Sequence, residues 1–146
     1  MKKILLILGF CCSVNMLSAQ ENIHIFQDSH HNFIGDVGNG TIIGNNNTFL
    51  GQFKNVDKQF CIVNSQHKTV GYIANGNEIH DLDHHVIASI SMNQTDYTIT
   101  VENGDHVVLG YIKRDGSVEN ASHTVIGYEL LCEPMYVVAY FLVFKL

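Results

Sequence analysis

Cations are scarce. The chain of 146 residues has 8 lysines and arginines against 14 aspartates and glutamates, and Lys2 and Lys3 lie in a leading segment expected to be removed. That leaves six scattered cations and a net charge near −8. Such a chain is a poor binder of nucleic acid or of anionic lipid. Long apolar runs are short in supply as well. Residues 135–144 form ten apolar residues in a row, whereas a helical bilayer span needs about 20. This excludes a transmembrane helix in the mature chain and favours a buried core plug or closing segment, strand or helix, over a membrane-contact segment. The sequence lacks a nucleophile elbow and a phosphate-cradling loop, since Asn45-Asn46-Asn47 has neither the lysine nor the helix start that a P-loop needs. No catalytic motif is present, and the chain is expected not to be an enzyme. Proline occurs once, at Pro134, where the pattern of the chain changes.

The first stretch has the layout of a secretory signal peptide: Lys2 and Lys3, an apolar run over 4–12, then Leu17-Ser18-Ala19. Residues 1–19 are expected to be cleaved, which places the protein outside the cytoplasm: periplasmic, at the cell surface or extracellular. Two cysteines then remain, Cys61 and Cys132. An exported chain with an even count permits one disulfide. The alternative is two small buried hydrophobes that never pair.

What is abundant is repetition. Val70-Gly71-Tyr72-Ile73 returns as Leu109-Gly110-Tyr111-Ile112 and as Ile126-Gly127-Tyr128-Glu129. Looser copies start at Ile34-Gly35, Leu50-Gly51 and Ile87-Ala88. These six anchors, each an aliphatic residue followed by glycine or alanine, are 16, 20, 17, 22 and 17 residues apart and bound five intervals. Each interval reads as strand, turn, strand, turn, with Gly38-Asn39-Gly40, Asn75-Gly76, Asn103-Gly104 and Asp115-Gly116 as reversals. Residues 20–33 form a lead-in, in which Ile23 and Ile25 alternate with polar residues, and 34–146 a single repeat-built domain with the apolar tail 135–146. A two-strand unit cannot bury its apolar face alone, so the expectation is all-β: five two-strand repeats closed radially about a pseudo-five-fold axis. Glycine inside a strand marks a close approach of backbones. Gly35, Gly51, Gly71, Ala88, Gly110 and Gly127 are therefore expected to face a crowded axis.

The repeats V-G-Y-I-A-N-G-N-E-I-H-D (70–81) and L-G-Y-I-K-R-D-G-S-V-E-N (109–120), with the tail Y-V-V-A-Y-F-L-V-F (136–144), resemble the five-fold β-flower proteins, small exported proteins of Bacteroidetes type. The resemblance covers 34–144. It implies a closed radial β fold and export, and it implies no known activity.

Two constellations could carry chemistry. His80, Asp81, Asp83, His84 and His85 fall within six residues, and imidazole with carboxylate suits Zn²⁺ or a similar ion. The metal candidates are His80, Asp83, His84 and His85, with His30 and His31 as further donors; the ordinary alternative is a solvated surface loop. Tyr72, Tyr111 and Tyr128 recur at one repeat position. They would present rings to a glycan or peptide, or simply pack between repeats. The function expected is therefore non-enzymatic, structural or binding, in the cell envelope. A partner protein or glycan is the expected ligand, and metal binding is a further alternative.

Overall fold

The computed structural model describes residues 24–130 and 132–144; the segment 1–19, expected to be a signal peptide, lies outside the described residues. Twelve strands follow one another: β1 (His24–Asp28), β2 (Phe33–Gly38), β3 (Thr41–Gly44), β4 (Phe49–Val56), β5 (Gln59–Asn64) and β6 (Thr69–Ala74). Then come β7 (Glu78–His80), β8 (Val86–Met92), β9 (Ile99–Glu102), β10 (Val108–Ile112), β11 (Ser117–Asn120) and β12 (Val125–Leu130). Each pairs antiparallel with the next, and β1 pairs with β12, so the sheet closes into an up-and-down barrel without a free edge. The all-β, closed architecture expected from the repeats is the one observed.

The anchor phrase now has a physical meaning. In every second strand pair a large inward side chain stands opposite a small one: Phe26 opposite Gly35, Ile42 opposite Gly51, Ile62 opposite Gly71. The series continues with Ile79 opposite Ala88, Val101 opposite Gly110 and Val118 opposite Gly127. All six large residues are 0% exposed. Directly beyond each pair the register shifts by one residue. The extra residue of that bulge is the aliphatic member of the anchor: Ile34, Leu50, Val70, Ile87, Leu109 or Ile126. A bulge leaves one residue unpaired and re-aims its side chain, and all six aliphatics pack against the core. Aliphatic-then-small is thus a bulge followed by a small inward residue. Five intervals separate six anchors along the chain. Around the ring, the sixth gap, between Gly127 and Gly35, is filled by β1 from the stretch read as a lead-in.

The tail fills the middle. Pro134 starts a short helix, α1 (Pro134–Val137), which continues in wider, π-type winding over Val138–Val143. Proline at the first helical position costs no backbone hydrogen bond there. Met135, Val137, Val138, Ala139, Tyr140 and Phe141 are buried in the same core as the strands. Phe26 stacks on Tyr140 with ring centroids 4.7 Å apart and meets Phe141 edge-on at 5.4 Å. Nearer the entry, Tyr136 stacks on Phe53 at 4.1 Å. Of the two forms open to this run, it takes the helical one, as a plug.

Some turns lie elsewhere than expected. The reversal between β4 and β5 is Asp57-Lys58, with φ of 50° and 69°, a two-residue hairpin turn made without glycine. Tyr97 sits in the turn before β9 with φ of 58°. The outer wall carries Asp36, Gln52, Lys54, Glu78 and Glu119, all accessible to solvent. Among the described residues no helix is long and apolar enough to cross a membrane.

Candidate functional site

Because every neighbour is antiparallel, the loops after β1, β3, β5, β7, β9 and β11 all emerge at one end of the barrel. Five of them share a sequence pattern and a structure. They are Asp28-Ser29-His30-His31-Asn32, Asn64-Ser65-Gln66-His67-Lys68, Asp81-Leu82-Asp83-His84-His85, Asn103-Gly104-Asp105-His106-Val107 and Asn120-Ala121-Ser122-His123-Thr124. In each, the first residue's Oδ1 accepts backbone N–H bonds from the third and fifth. For Asp81 these come from Asp83 and His85, both at 2.9 Å; Asp28, Asn64, Asn103 and Asn120 do the same. The fourth residue is always histidine, with φ between 59° and 68°. Side-chain oxygens that bond the backbone two residues on are a standard way to build such a reversal.

The left-handed backbone turns these imidazoles onto the outer wall. A residue following a small inward one faces outward, as Tyr72, Tyr111 and Tyr128 do. His31 stacks on Tyr128 with centroids 4.0 Å apart, and His123 stacks on Tyr111 at 4.6 Å. His84 meets Tyr72 edge-on at 5.4 Å, and its Nδ1 is hydrogen-bonded to the Tyr72 hydroxyl. His67 stacks on Phe49 at 4.4 Å. The three tyrosines are half-buried; loop histidines stack on Tyr111 and Tyr128, while His80 of β7 stacks on Tyr72 with centroids 5.2 Å apart. Tyrosine and histidine candidates, separate in the sequence, form one belt at one end of the barrel.

The metal candidates do not converge as a set. His84 is held by Tyr72. His80 turns to Glu78, with Nε2 3.0 Å from Oε2, and its Nδ1 lies 3.2 Å from the His84 carbonyl. Asp83 and His85 instead gather with Asp81, their ligand atoms all within 4.8 Å of one another. Asp81 is meanwhile engaged as the loop's cap, the job asparagine does in three sister loops. Donation from the His85 and Asp83 backbone and from the His85 side chain, the His85 backbone foremost, holds the Asp81 carboxyl below its ordinary range; Asp28 is lowered in the same way, chiefly by Asn32. This explains the 81–85 geometry without an ion. His30 and His31 lie in a different loop, and His31 is stacked on Tyr128.

His67, His106 and His123 were not singled out by sequence reasoning, although the five-fold recurrence of Asx-x-x-His is visible in the sequence. Cys61 and Cys132 are both free thiols. Burial, reinforced by Glu129, pushes the Cys132 thiol far above its ordinary pKa, so it stays protonated and unreactive. Beside the plug, an open cleft of about 550 Å³ is lined by Ile34, Leu109, Ile126, Tyr140 and Leu142, with Asn120 at its polar edge.

These features define a plugged, closed, twelve-stranded all-β barrel with a histidine–tyrosine belt at one end. Residues 55–145 match the sequence profile of the family described as 5-fold beta-flower protein, and the chain belongs to that family. No curated protein and no solved structure matches it.

Proposed function

We propose that this is an exported, non-enzymatic protein of the cell envelope that uses the histidine–tyrosine end of its barrel to bind a partner. The observation that carries this reading is the asymmetry of the molecule. Its interior is occupied by its own tail, with an open cleft of about 550 Å³ beside it, while five loops of one design present imidazoles at a single end. The charged n-region and apolar stretch at the N-terminus support export. Half-covered tyrosines with polar tips suit recognition of a glycan or a peptide, since an aromatic ring offers an apolar face beside a hydrogen-bonding group.

Fractionation of cells expressing the full chain, followed by in-situ crosslinking and mass spectrometry, tests the reading. The expected result is shortened protein in the envelope or medium, crosslinked to one dominant partner or to glycan. Full-length protein in the cytoplasm without crosslinked species would overturn it.

A further inference from the structure

The plug does not meet the wall evenly. Its residues step round the barrel: Phe141 lies against Gly127 of β12, Leu142 against Gly110 of β10 and Phe144 against Gly71 of β6. β6 stands directly across the ring of twelve from β12. As the tail crosses towards β6 it leaves the open cleft of about 550 Å³ on the β12 side. Three bulge aliphatics from every second strand wall it, Ile34 (β2), Ile126 (β12) and Leu109 (β10), with Leu142 of the plug. All four are only partly buried, and among the described residues no charged side chain lines the cleft.

Two polar groups border this apolar space with bonding capacity unused. Tyr140 lines the cleft and is 7% exposed, yet among the described residues its hydroxyl has no hydrogen-bond partner. A buried hydroxyl is ordinarily bonded. Burial holds this one above its ordinary pKa, so it is a neutral group that donates and accepts. At the cleft's edge, Asn120 Oδ1 accepts the N–H groups of Ser122 and Thr124 at 2.9 and 3.0 Å. Its Nδ2 is then a donor without a partner among the described residues. The backbone that carries Tyr140 and Leu142 is unusual as well. It is the π-type winding over Val138–Val143, with the Phe144 N–H donating to the Ala139 carbonyl at 2.9 Å. Such winding is rare and concentrates at functional sites.

The occupant follows from the lining. Small-molecule sites are mostly apolar, carry a few placed polar groups and span about 300–1,000 Å³. A carboxylate in this cleft would be desolvated without a counter-charge, which is costly, so the ligand is neutral. Two unused donors call for an acceptor, and a carbonyl oxygen offers two lone pairs. Branched aliphatic walls suit a flexible hydrocarbon chain. We propose that the cleft beside the plug binds a neutral acyl ligand, an aliphatic chain bearing an ester or amide carbonyl, which Tyr140 and Asn120 hold. This site does not depend on the partner-binding role of the histidine–tyrosine belt.

The test titrates the purified protein with N-methyldecanamide, methyl decanoate and decanoate, by calorimetry and by the methyl resonances of Ile34 and Ile126. The amide or the ester should bind and shift both isoleucines, and decanoate should bind at least about tenfold more weakly. A tighter amide would assign the natural ligand to acylated amines, a tighter ester to acyl esters; either supports the site. Y140F keeps the ring and loses the hydroxyl. N120D keeps the loop cap, as Asp28 and Asp81 do, and loses the donor. Near-ultraviolet circular dichroism confirms that both are folded. Each should weaken the neutral ligand about threefold to tenfold. Y136F, altered where the tail enters at the opposite end, should bind like the parent. Failure of both neutral probes to bind, decanoate binding as tightly as they do, unshifted Ile34 and Ile126, or parental affinity in both Y140F and N120D would each overturn the inference. None of these outcomes bears on the envelope crosslinking, which tests the partner-binding role alone.

Discussion

The ring of Phe141 fills the space that a side chain on Gly127 would need. A Cβ at Gly127 would clash with Phe141 Cε1 and stand 2.7 Å from both Phe141 Cζ and the Gln27 carbonyl oxygen. Phe141 is pinned between Phe26 and Tyr140 and cannot swing away. Gly110 and Gly71 stand in the same relation to the plug, 2.9 Å from Leu142 and 3.0 Å from Phe144 for an added Cβ. G127A should therefore lose about 1–3 kcal/mol, the usual cost of overpacking. G38A is the control, since a Cβ there meets nothing within 4 Å. Thermal melts should separate the two; equal melting temperatures would contradict the crowded axis.

If the tail is the core of the barrel rather than an appendage, shortening one plug side chain should resemble a core deletion. F141A is expected to cost about 3–5 kcal/mol, a large part of a small domain's total stability. Chemical denaturation measures it. A loss under 1 kcal/mol would mean that the barrel holds without its plug.

The loop caps make a pH prediction. Asp28 and Asp81 have carboxyls held below their ordinary values in the folded state, so each contributes stability that is present above about pH 4. That contribution is lost as pH falls through the lowered values. In D28N/D81N the amide oxygen still accepts the two backbone N–H bonds, as Asn64, Asn103 and Asn120 do, but does not titrate. The parent's melting temperature should fall more steeply below about pH 4 than the variant's. Parallel curves would show that these carboxyls do not matter to acid stability.

Glu129 behaves oppositely. Burial raises its carboxyl, against the opposing N–H donation from Cys132, so the charged form is penalised in the fold. A raised carboxyl adds stability as pH falls from neutral towards its folded value. E129Q keeps an acceptor for the Cys132 N–H and removes the charge. It should melt higher than the parent at pH 7, and the difference should shrink near pH 4. A lower melting temperature at pH 7 would show that the charged hydrogen bond outweighs the burial cost.

Much of the fold was legible because small inward residues repeat: Gly35, Gly51, Gly71, Ala88, Gly110 and Gly127 are all buried, as their position in the strands implies. The bulges were not legible. Spacing between anchors counts residues, and only the pairing registers show that Ile34 or Val70 is the unpaired one. The place of β1 in the ring was also hidden, because its sequence carries no aliphatic–glycine pair. Asp57-Lys58 escaped because its turn uses no glycine. At the candidate site, proximity in sequence drew attention to 80–85 as a cluster. The same loop appears five times, and the relation that matters, His31 to Tyr128 or His123 to Tyr111, joins elements far apart in one case and a dozen residues apart in the other.

The most direct measurement places a photo-crosslinking amino acid at Val107, exposed at the histidine end, and separately at Val56, exposed at the other. Both proteins are expressed as the full chain and irradiated in intact cells. A binding role for the histidine end predicts a discrete crosslinked product from position 107 and none from 56. Product from 56 alone, or from neither position, would contradict it.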